Sequence, residues 1–370
     1  MTARLLVFTL FFISRPPEIQ FERTMIDGGA AETATFADLN GDKKIDLMSG
    51  EYWYEGPSWT PHKFREIAFT NNYVDDFSDL VADFDGDGEP DVVSVGWFSK
   101  SVAWWKNPGR GLGMWKRQDI ETRFNVEFAF LADLDNDGKA LEVLPQFGNG
   151  DAPLTWYEYK GSAWQAHVVS SKSCGHGIGT GDVNGDHRTD IITPKGWFEA
   201  PSDARKGDWI WHPEFDLGDT GFIHVLDVNG DGRPDLVTTL AHNYGIFWME
   251  NMGGGKWTKH LIDDSWSQAH TLVLVDLNKD GRMDLLTGKR YMAHNGKDPG
   301  EREPLGVYWY ENTRDDNGQP VFVRHLIDYG TRAGGGMGIT VADVNGDGRL
   351  DFATGGKSGL FLFKNLGARK

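Results

Sequence analysis

Apolar positions along the chain fall in short runs, and no stretch keeps a helical period. Runs such as DLVTTL, GIFWMEN and GVYWYEN are rich in β-branched and aromatic residues and are bounded by Gly, Asn and Asp, which predicts strands. An aromatic that opens a β-type run returns seven times, at Phe21, Phe64, Trp115, Trp164, Trp211, Trp257 and Phe322. A nine-residue acidic pattern keeps the same beat, with copies beginning at Asp38, Asp83, Asp133, Asp182, Asp227, Asp276 and Asp343. The spacings are 45, 50, 49, 45, 49 and 67, so the last gap carries an insertion within about residues 290–320. Four short strands in a unit of about 45 residues is the spacing of a propeller blade. The prediction is an all-β, seven-bladed β-propeller forming a single domain over residues 18–370. The parts are offset at the ends: FERTMI precedes the first acidic loop, whereas LFLFKN ends the chain with no outer strand after it. Phe21–Ile26 is therefore predicted to complete the last blade, closing the ring and removing exposed sheet edges. A stack of open solenoid repeats would not need that offset.

Composition narrows the partners. The 370 residues carry a formal net charge of −18, which excludes the basic footprint a nucleic-acid binder needs. Gly at 47 and Trp at 15 suit tight turns between short aromatic strands. Cys174 is the one cysteine, so no intrachain disulfide forms. Leu5 to Ile13 is too short to span a bilayer and resembles a signal-peptide core, although Ser14, Arg15, Pro16 and Pro17 offer no small-x-small cleavage site. Residues 1–17 read as a possible signal peptide or disordered leader, and export (periplasmic or secreted) is the expectation. No other stretch is a candidate membrane span.

The acidic loops have the chemistry of calcium cages. Calcium takes six to eight hard oxygens. Positions 1, 3, 5 and 9 supply side-chain oxygens in each copy: Asp38, Asn40, Asp42 and Asp46; Asp83, Asp85, Asp87 and Asp91; Asp133, Asp135, Asp137 and, one residue late, Glu142. The same positions hold Asp182, Asn184, Asp186 and Asp190; Asp227, Asn229, Asp231 and Asp235; Asp276, Asn278, Asp280 and Asp284; Asp343, Asn345, Asp347 and Asp351. Gly at position 6 permits a sharp turn, and Lys43 and His187 replace it in two copies. One such loop reads equally as a metal-free Asx turn. Copies in register point instead to structural Ca2+, up to seven ions, which would offset most of the −18 charge.

The repeats resemble the FG-GAP or VCBS repeats of integrin-type propellers. The segments between them, among them SGEYWYEGP, GHGIGTGDVNGD, KGWFEAP, AHNYGIFW and GKRYMAHNGKDPG, resemble the propeller part of the aldos-2-ulose dehydratase family. That resemblance implies dehydration of keto-sugars such as 1,5-anhydrofructose at a metal-containing propeller site. The further domains of the fungal enzymes are not matched in this chain.

If the acidic hairpins share one face, the opposite face is made by segments entering the first strand and leaving the second. Six residues before an acidic loop stand Glu32, Glu127, His176 and His270; Asp75 and Asp76 lie near the equivalent place, and His224 three residues before its loop. Leaving second strands come Glu51, Tyr52, Trp97, Asn149, Lys195, Trp197, His242, Tyr244, Lys289, Arg290, Tyr291, His294 and Lys357. Equivalent positions in a propeller ring the axis, so distant residues can meet in one pocket. His176 and His270 replace Glu32 and Glu127 at one repeat position, where packing would not select ligands. A second divalent metal (Zn, Mn or Mg) is expected on His176, His270 and Glu127. His242, Tyr291 and His294 are the expected base and acid, and Lys195 and Lys289 the donors that stabilise an enolate. Trp53, Trp97, Trp197 and Tyr244 suit sugar stacking, with Glu51 and Arg290 as polar contacts. Plainer readings compete: His224 reads equally as a packed strand histidine, His167, His260 and His325 recur as blade packing, and Trp97 and Trp197 share a Gly-Trp-Phe motif that suits packing.

These residues favour a lyase or dehydratase performing metal-assisted β-elimination on a keto-sugar or keto-glycoside. The alternative is a non-catalytic, calcium-stabilised propeller that binds carbohydrate or protein. A polysaccharide lyase or hydrolase is a third class, the hydrolase needing a carboxylate pair at a set separation.

Overall fold

The computed structural model describes residues 18–148, 150–173 and 175–368. The expected leader, and Asn149 among the expected pocket residues, lie outside them. Strands dominate, and one turn of 3-10 helix, Ala204–Lys206, interrupts them among the described residues. Within a repeat four strands pair antiparallel in chain order, as in Val126–Ala132, Glu142–Phe147, Leu154–Lys160 and Ala163–Ser170, except in the sheet that ends the chain. The first strands touch one another in a cycle: Thr35–Ala37, Ser78–Ala82, Val126–Ala132, Ile178–Gly181, Thr220–Leu226, Thr271–Val275, Ile339–Ala342 and back to Thr35–Ala37. Two of them, Ile178–Gly181 and Thr220–Leu226, approach closely enough to pair in parallel and fuse two sheets. Gly179 makes that approach possible, since a Cβ there would stand 1.9 Å from the Ile223 carbonyl oxygen.

The terminal offset has the outcome its sequence implies. Ile19–Asp27 pairs with Gly359–Ala368, Phe21 opposite Asn365, and supplies the outer strand of the sheet that ends the chain.

Packing within the sheets follows a three-residue device. A third-strand Trp stacks on a fourth-strand His, whose Nε2 meets a Glu two residues after the Trp. The ring centroids are 4.3 Å apart in Trp53–His62, 4.1 Å in Trp156–His167 and Trp197–His212, 4.3 Å in Trp248–His260 and 4.2 Å in Trp309–His325. The glutamates are Glu55, Glu158, Glu199, Glu250 and Glu311, at 2.8–3.0 Å. The packing role read for His167, His260 and His325 therefore extends to His62 and His212. The device buries a large apolar ring while giving its polar neighbour a charged acceptor.

Two segments break the repeat. Phe69–Thr70 and Tyr73–Val74 form an extra hairpin before the second sheet, turned by Asn71 and Asn72, both left-handed at φ 54° and 68°. Paired left-handed residues are what a two-residue hairpin turn demands. The insertion in the long gap spans 289–305, between Asp284–Gly288 and Gly306–Arg314. It lies at the start of the expected range, and Gly306–Arg314 and Pro320–Tyr329 then continue the sheet.

Candidate active site

Every acidic loop joins a first strand to a second. Segments that enter first strands or leave second strands therefore emerge at the opposite end of the sheets, and there the titratable residues gather. Glu32, Glu127 and His270 are all buried, and Arg290 lies buried between the two carboxylates. Its Nε donates to Glu32 Oε2 at 3.2 Å and its Nη1 to Glu127 Oε1 at 2.9 Å. Glu127 Oε2 lies 2.9 Å from His176 Nε2, which lies 3.0 Å from His242 Nε2.

Hydrogen bonding on the far side of each ring fixes what these nitrogens present. His176 Nδ1 sits 2.7 Å from the Thr220 carbonyl, which only accepts, so Nδ1 carries the hydrogen. His242 Nδ1 sits 3.0 Å from Asp298 Oδ2, with the same consequence. In their neutral forms both rings would then turn Nε2 lone pairs toward one point, where a carboxylate oxygen also arrives. Such a convergence is repulsive unless a proton or a cation lies among the three atoms. Their mutual distances, all within 4.8 Å, suit a single metal ion. His270 adds a fourth nitrogen nearby: its ring centroid is 4.9 Å from that of His242, and its buried Nε2 has no protein partner.

The electrostatics follow. Burial pulls His176 down, but the charge and hydrogen bond of Glu127 outweigh it and leave the pKa raised. Burial alone would raise Glu127; His176, Arg290 and His270 together hold it well below the usual carboxylate range. His242 falls to about 4, through burial and then the neighbouring His176 charge. Burial, then Arg290, depresses His270. Burial raises Glu32 despite Arg290 and Lys357.

Above this cluster lies a cavity of about 380 Å³ lined by Tyr73, Phe77, Trp97, Phe98, Glu127, Arg290 and the inserted segment's Ala293, His294, Lys297 and Asp298. Its walls come largely from the two departures from the repeat. They brace each other, for the Tyr73 hydroxyl donates to the Ala293 carbonyl, and Lys357 of the last sheet adds a bond from Nζ to the Met292 carbonyl at 2.7 Å. Lys357 also sits 3.5 Å from the centroid of the Tyr73 ring, and burial brings its pKa down to about 8. Glu301, buried at 1% exposure, accepts from the backbone of His294 and Asp298 and staples the insertion internally.

Several expectations need correction. His242, not His270, is the third member of the cluster formed by Glu127 and His176. Trp53 is fully buried under His62, and Trp197 is a third-strand Trp stacked on His212, so neither faces a ligand. Trp97 does line the cavity. The shared Gly-Trp-Phe string falls in two registers, leaving a second strand at Trp97 and within a third at Trp197. Lys195 extends outward to Asp216 at 2.7 Å, and Lys289 is spent inside, donating to the Ser267 carbonyl at 3.1 Å and hydroxyl at 2.9 Å. Glu51 belongs to a separate 230 Å³ cavity with Tyr52 and Tyr54. Tyr244 donates to Glu303 at 2.6 Å, and Tyr291 is 44% exposed; neither lines the axial cavity. His224 Nε2 donates to the Leu272 carbonyl, 2.7 Å away, as a packed strand histidine. Asp75 caps the backbone of Phe98 and Ser99, while Asp76 is tied to Arg65 at 2.7 Å. Sequence reasoning missed Asp298, Glu301 and Tyr73. The Asn71-Asn72 turn was the available signal for the last.

The acidic loops share one backbone. Positions 4 and 6 are left-handed in every copy, including Lys43 at φ 67° and His187 at φ 66° where Gly is absent. Asp227 shows the local bonding: Oδ1 accepts from Gly230 and Asp231 and Oδ2 from Gly232, at 2.7–3.1 Å. The ninth residue is buried and ties the loop to the sheet, as Asp235 does by accepting from Val228 at 3.0 Å and Asn251 at 2.8 Å. The position-5 carboxylate pairs with the basic residue at position 7 in Asp42–Lys44, Asp186–Arg188, Asp231–Arg233, Asp280–Arg282 and Asp347–Arg349.

Residues 83–144 and 227–287 match the FG-GAP-like repeat. The chain carries FG-GAP-like repeats in a propeller fold. A lectin of Agrocybe aegerita, described as recognising non-reducing terminal N-acetylglucosamine, resembles this FG-GAP propeller over 93% of this chain and 91% of its own, at 19% identity and a TM-score of 0.50. A V. cholerae biofilm matrix protein matches over 95% and 84% at 13% identity and a TM-score of 0.45. A luciferin-regenerating enzyme matches over 83% and 95% at 10% identity and a TM-score of 0.45. No curated protein matches the FG-GAP propeller in sequence. No described helix is long and apolar enough to cross a membrane.

Proposed function

We propose that this FG-GAP propeller is a divalent-metal-dependent lyase that eliminates water or an alkoxide from a keto-sugar or keto-glycoside in the axial cavity. The observation that carries the reading is the convergence of His176 Nε2, His242 Nε2 and Glu127 Oε2, two of them with their hydrogens fixed on the opposite nitrogen. These three residues would hold the metal, and the partnerless Nε2 of buried His270 beside them fits the same group. Imidazole-rich donor sets suit zinc better than magnesium or manganese. A bound metal would polarise the substrate carbonyl and so acidify the adjacent C–H.

The chain's own residues supply the rest. Trp97, Tyr73 and Phe77 wall the cavity with aromatic surface on which a pyranose face can stack. His294 lines the same cavity, with Nδ1 held 2.9 Å from Asp298 Oδ2, so its Nε2 is free to take the α-proton. The C–H electron pair becomes the C=C bond as the β C–O bond breaks, and the imidazolium returns its proton to the departing oxygen. The products are an enone and water, or an alcohol from a glycoside.

The scaffold in this proposal is a seven-bladed ring whose acidic loops bind structural calcium. The ninth carboxylates support that reading. Asp46, Asp91 and Asp235 are pushed up to about 6, and Glu142, Asp190 and Asp284 to about 7, by burial and then by neighbouring loop carboxylates. A cluster that raises its own pKa values is short of positive charge. Asp83, Asp85 and Asp87, and Asp133, Asp135 and Glu142, already gather their oxygens within ion-holding reach. An exported location, where calcium is plentiful, accords with this.

The test is an ultraviolet assay of the full chain with 1,5-anhydrofructose, glucosone and 3-keto-glucosides. Enone absorbance that falls at least about 100-fold in His294→Ala and His176→Ala is the expected result. The aromatic walls also suit simple carbohydrate binding. No enone from any substrate, with calcium as the sole bound metal, would replace the lyase by that binding module.

A further inference from the structure

The inserted segment 289–305 belongs to no repeat, yet it reaches the centre of the cluster. Asp298 Oδ2 lies 3.0 Å from His242 Nδ1, 2.9 Å from His294 Nδ1 and 3.5 Å from Gln268 Nε2. The two imidazoles stack on each other, with centroids 4.3 Å apart and an interplanar angle of 17°, and the carboxylate oxygen meets both. The carboxylate is held in place. Glu301 accepts the Asp298 N–H at 3.3 Å, and Tyr73 and Lys357 pin the start of the segment.

We infer that Asp298 is a positioning residue: it holds the hydrogen of His242 on Nδ1, so that Nε2 presents a lone pair beside His176 and Glu127. This inference rests on the metal-site reading for its consequence, but the tautomer itself does not. Without an acceptor at Nδ1, neutral His242 can carry its hydrogen on Nε2 instead. That hydrogen would then point at the place the ligand atoms converge, and would have to be displaced before a metal bound. A carboxylate acceptor also raises the basicity of the ligating nitrogen, and loss of such partners typically costs about 10–100-fold in metal affinity. The same oxygen serves His294, so one residue of the insertion sets both the proposed metal ligand and the proposed base. The insertion is on this view part of the centre.

Two readouts on the full chain test it. The first is long-range 15N–1H NMR of the metal-free protein at pH 7.5, with His242→Gln to assign the ring. The expected result is a protonated Nδ1 and an unprotonated Nε2 for His242, lost or mixed in Asp298→Ala. A His242 hydrogen on Nε2 in the wild type overturns the inference, whatever the metal does. The second is zinc affinity by chelator competition, where Asp298→Ala and Asp298→Asn should bind about 10–100-fold more weakly with an unchanged metal-free melting temperature. Unchanged zinc affinity in both variants overturns the positioning role. Failure of the wild type to bind zinc, with the Nδ1 hydrogen confirmed, sinks the metal reading and leaves the tautomer assignment standing.

Discussion

The rim and the axis of this propeller are built on opposite rules. On the rim one solution is repeated: a Trp, a His and a Glu interlock in five of the sheets, and every acidic loop takes the same two left-handed turns. At the axis the repeat is not kept. The position six residues before the loop is Glu32, Glu127, His176 or His270, and the cavity wall comes from a hairpin and an insertion that no other repeat has. Repetition makes a closed scaffold whose parts are interchangeable. Departure from repetition marks where interchange stopped being tolerated, and chemistry concentrates there.

The comparison breaks most directly if a rim residue controls the axis. Trp156→Ala removes a fully buried ring stacked on His167 and should cost about 3–5 kcal/mol in unfolding free energy. Zinc affinity of the folded fraction, measured by chelator competition, should stay within about threefold. His176→Ala should do the reverse. It should lower enone formation at least about 100-fold, or about 2.7 kcal/mol in transition-state stabilisation, while shifting stability by about 1 kcal/mol.

The pH dependence of the loops sharpens the contrast. The ninth carboxylates have folded pKa values above their unfolded ones, up to about 7 for Asp190 and Asp284. The folded state therefore holds protons that the unfolded state has lost. Their contribution is fully present below about pH 4 and is lost as pH rises through about 6–7. In chelator the melting temperature should accordingly fall between pH 4.5 and 7.5, beyond any change from other groups. Calcium should restore it, most strongly at the upper end. A melting curve insensitive to calcium at pH 7.5 would remove the ions from the rim. The smallest effect belongs to a single loop: Asp231→Ala should lower the calcium-loaded melting temperature slightly and leave catalysis unchanged, because the other loops remain.

The rim was legible in the sequence because repetition supplies its own register. Spacing of the first Asp located each loop, and the terminal offset located the closing strand. Half of the axis was legible for the same reason, since Glu127, His176 and His270 occupy a position that can be counted. The counting then failed in two ways. Identical strings do not guarantee identical register, so Trp97 and Trp197 were grouped although one lines the cavity and the other is blade packing. Residues in insertions have no register to count, so nothing marked Asp298, which lies 56 positions from its partner His242. Lys195 and Lys289 show a related gap: sequence places a charge on a face but not the acceptor that consumes it, here Asp216 and Ser267.

The central claim is that a metal centre sits on the axis, separate from the ions of the rim. The direct test is the metal content of the purified full chain saturated with calcium, for the wild type and for His176→Ala. The account predicts one equivalent of zinc per chain in the wild type, lost in the variant with its calcium unchanged. A wild type holding calcium alone, or a variant that keeps its transition metal, would contradict it.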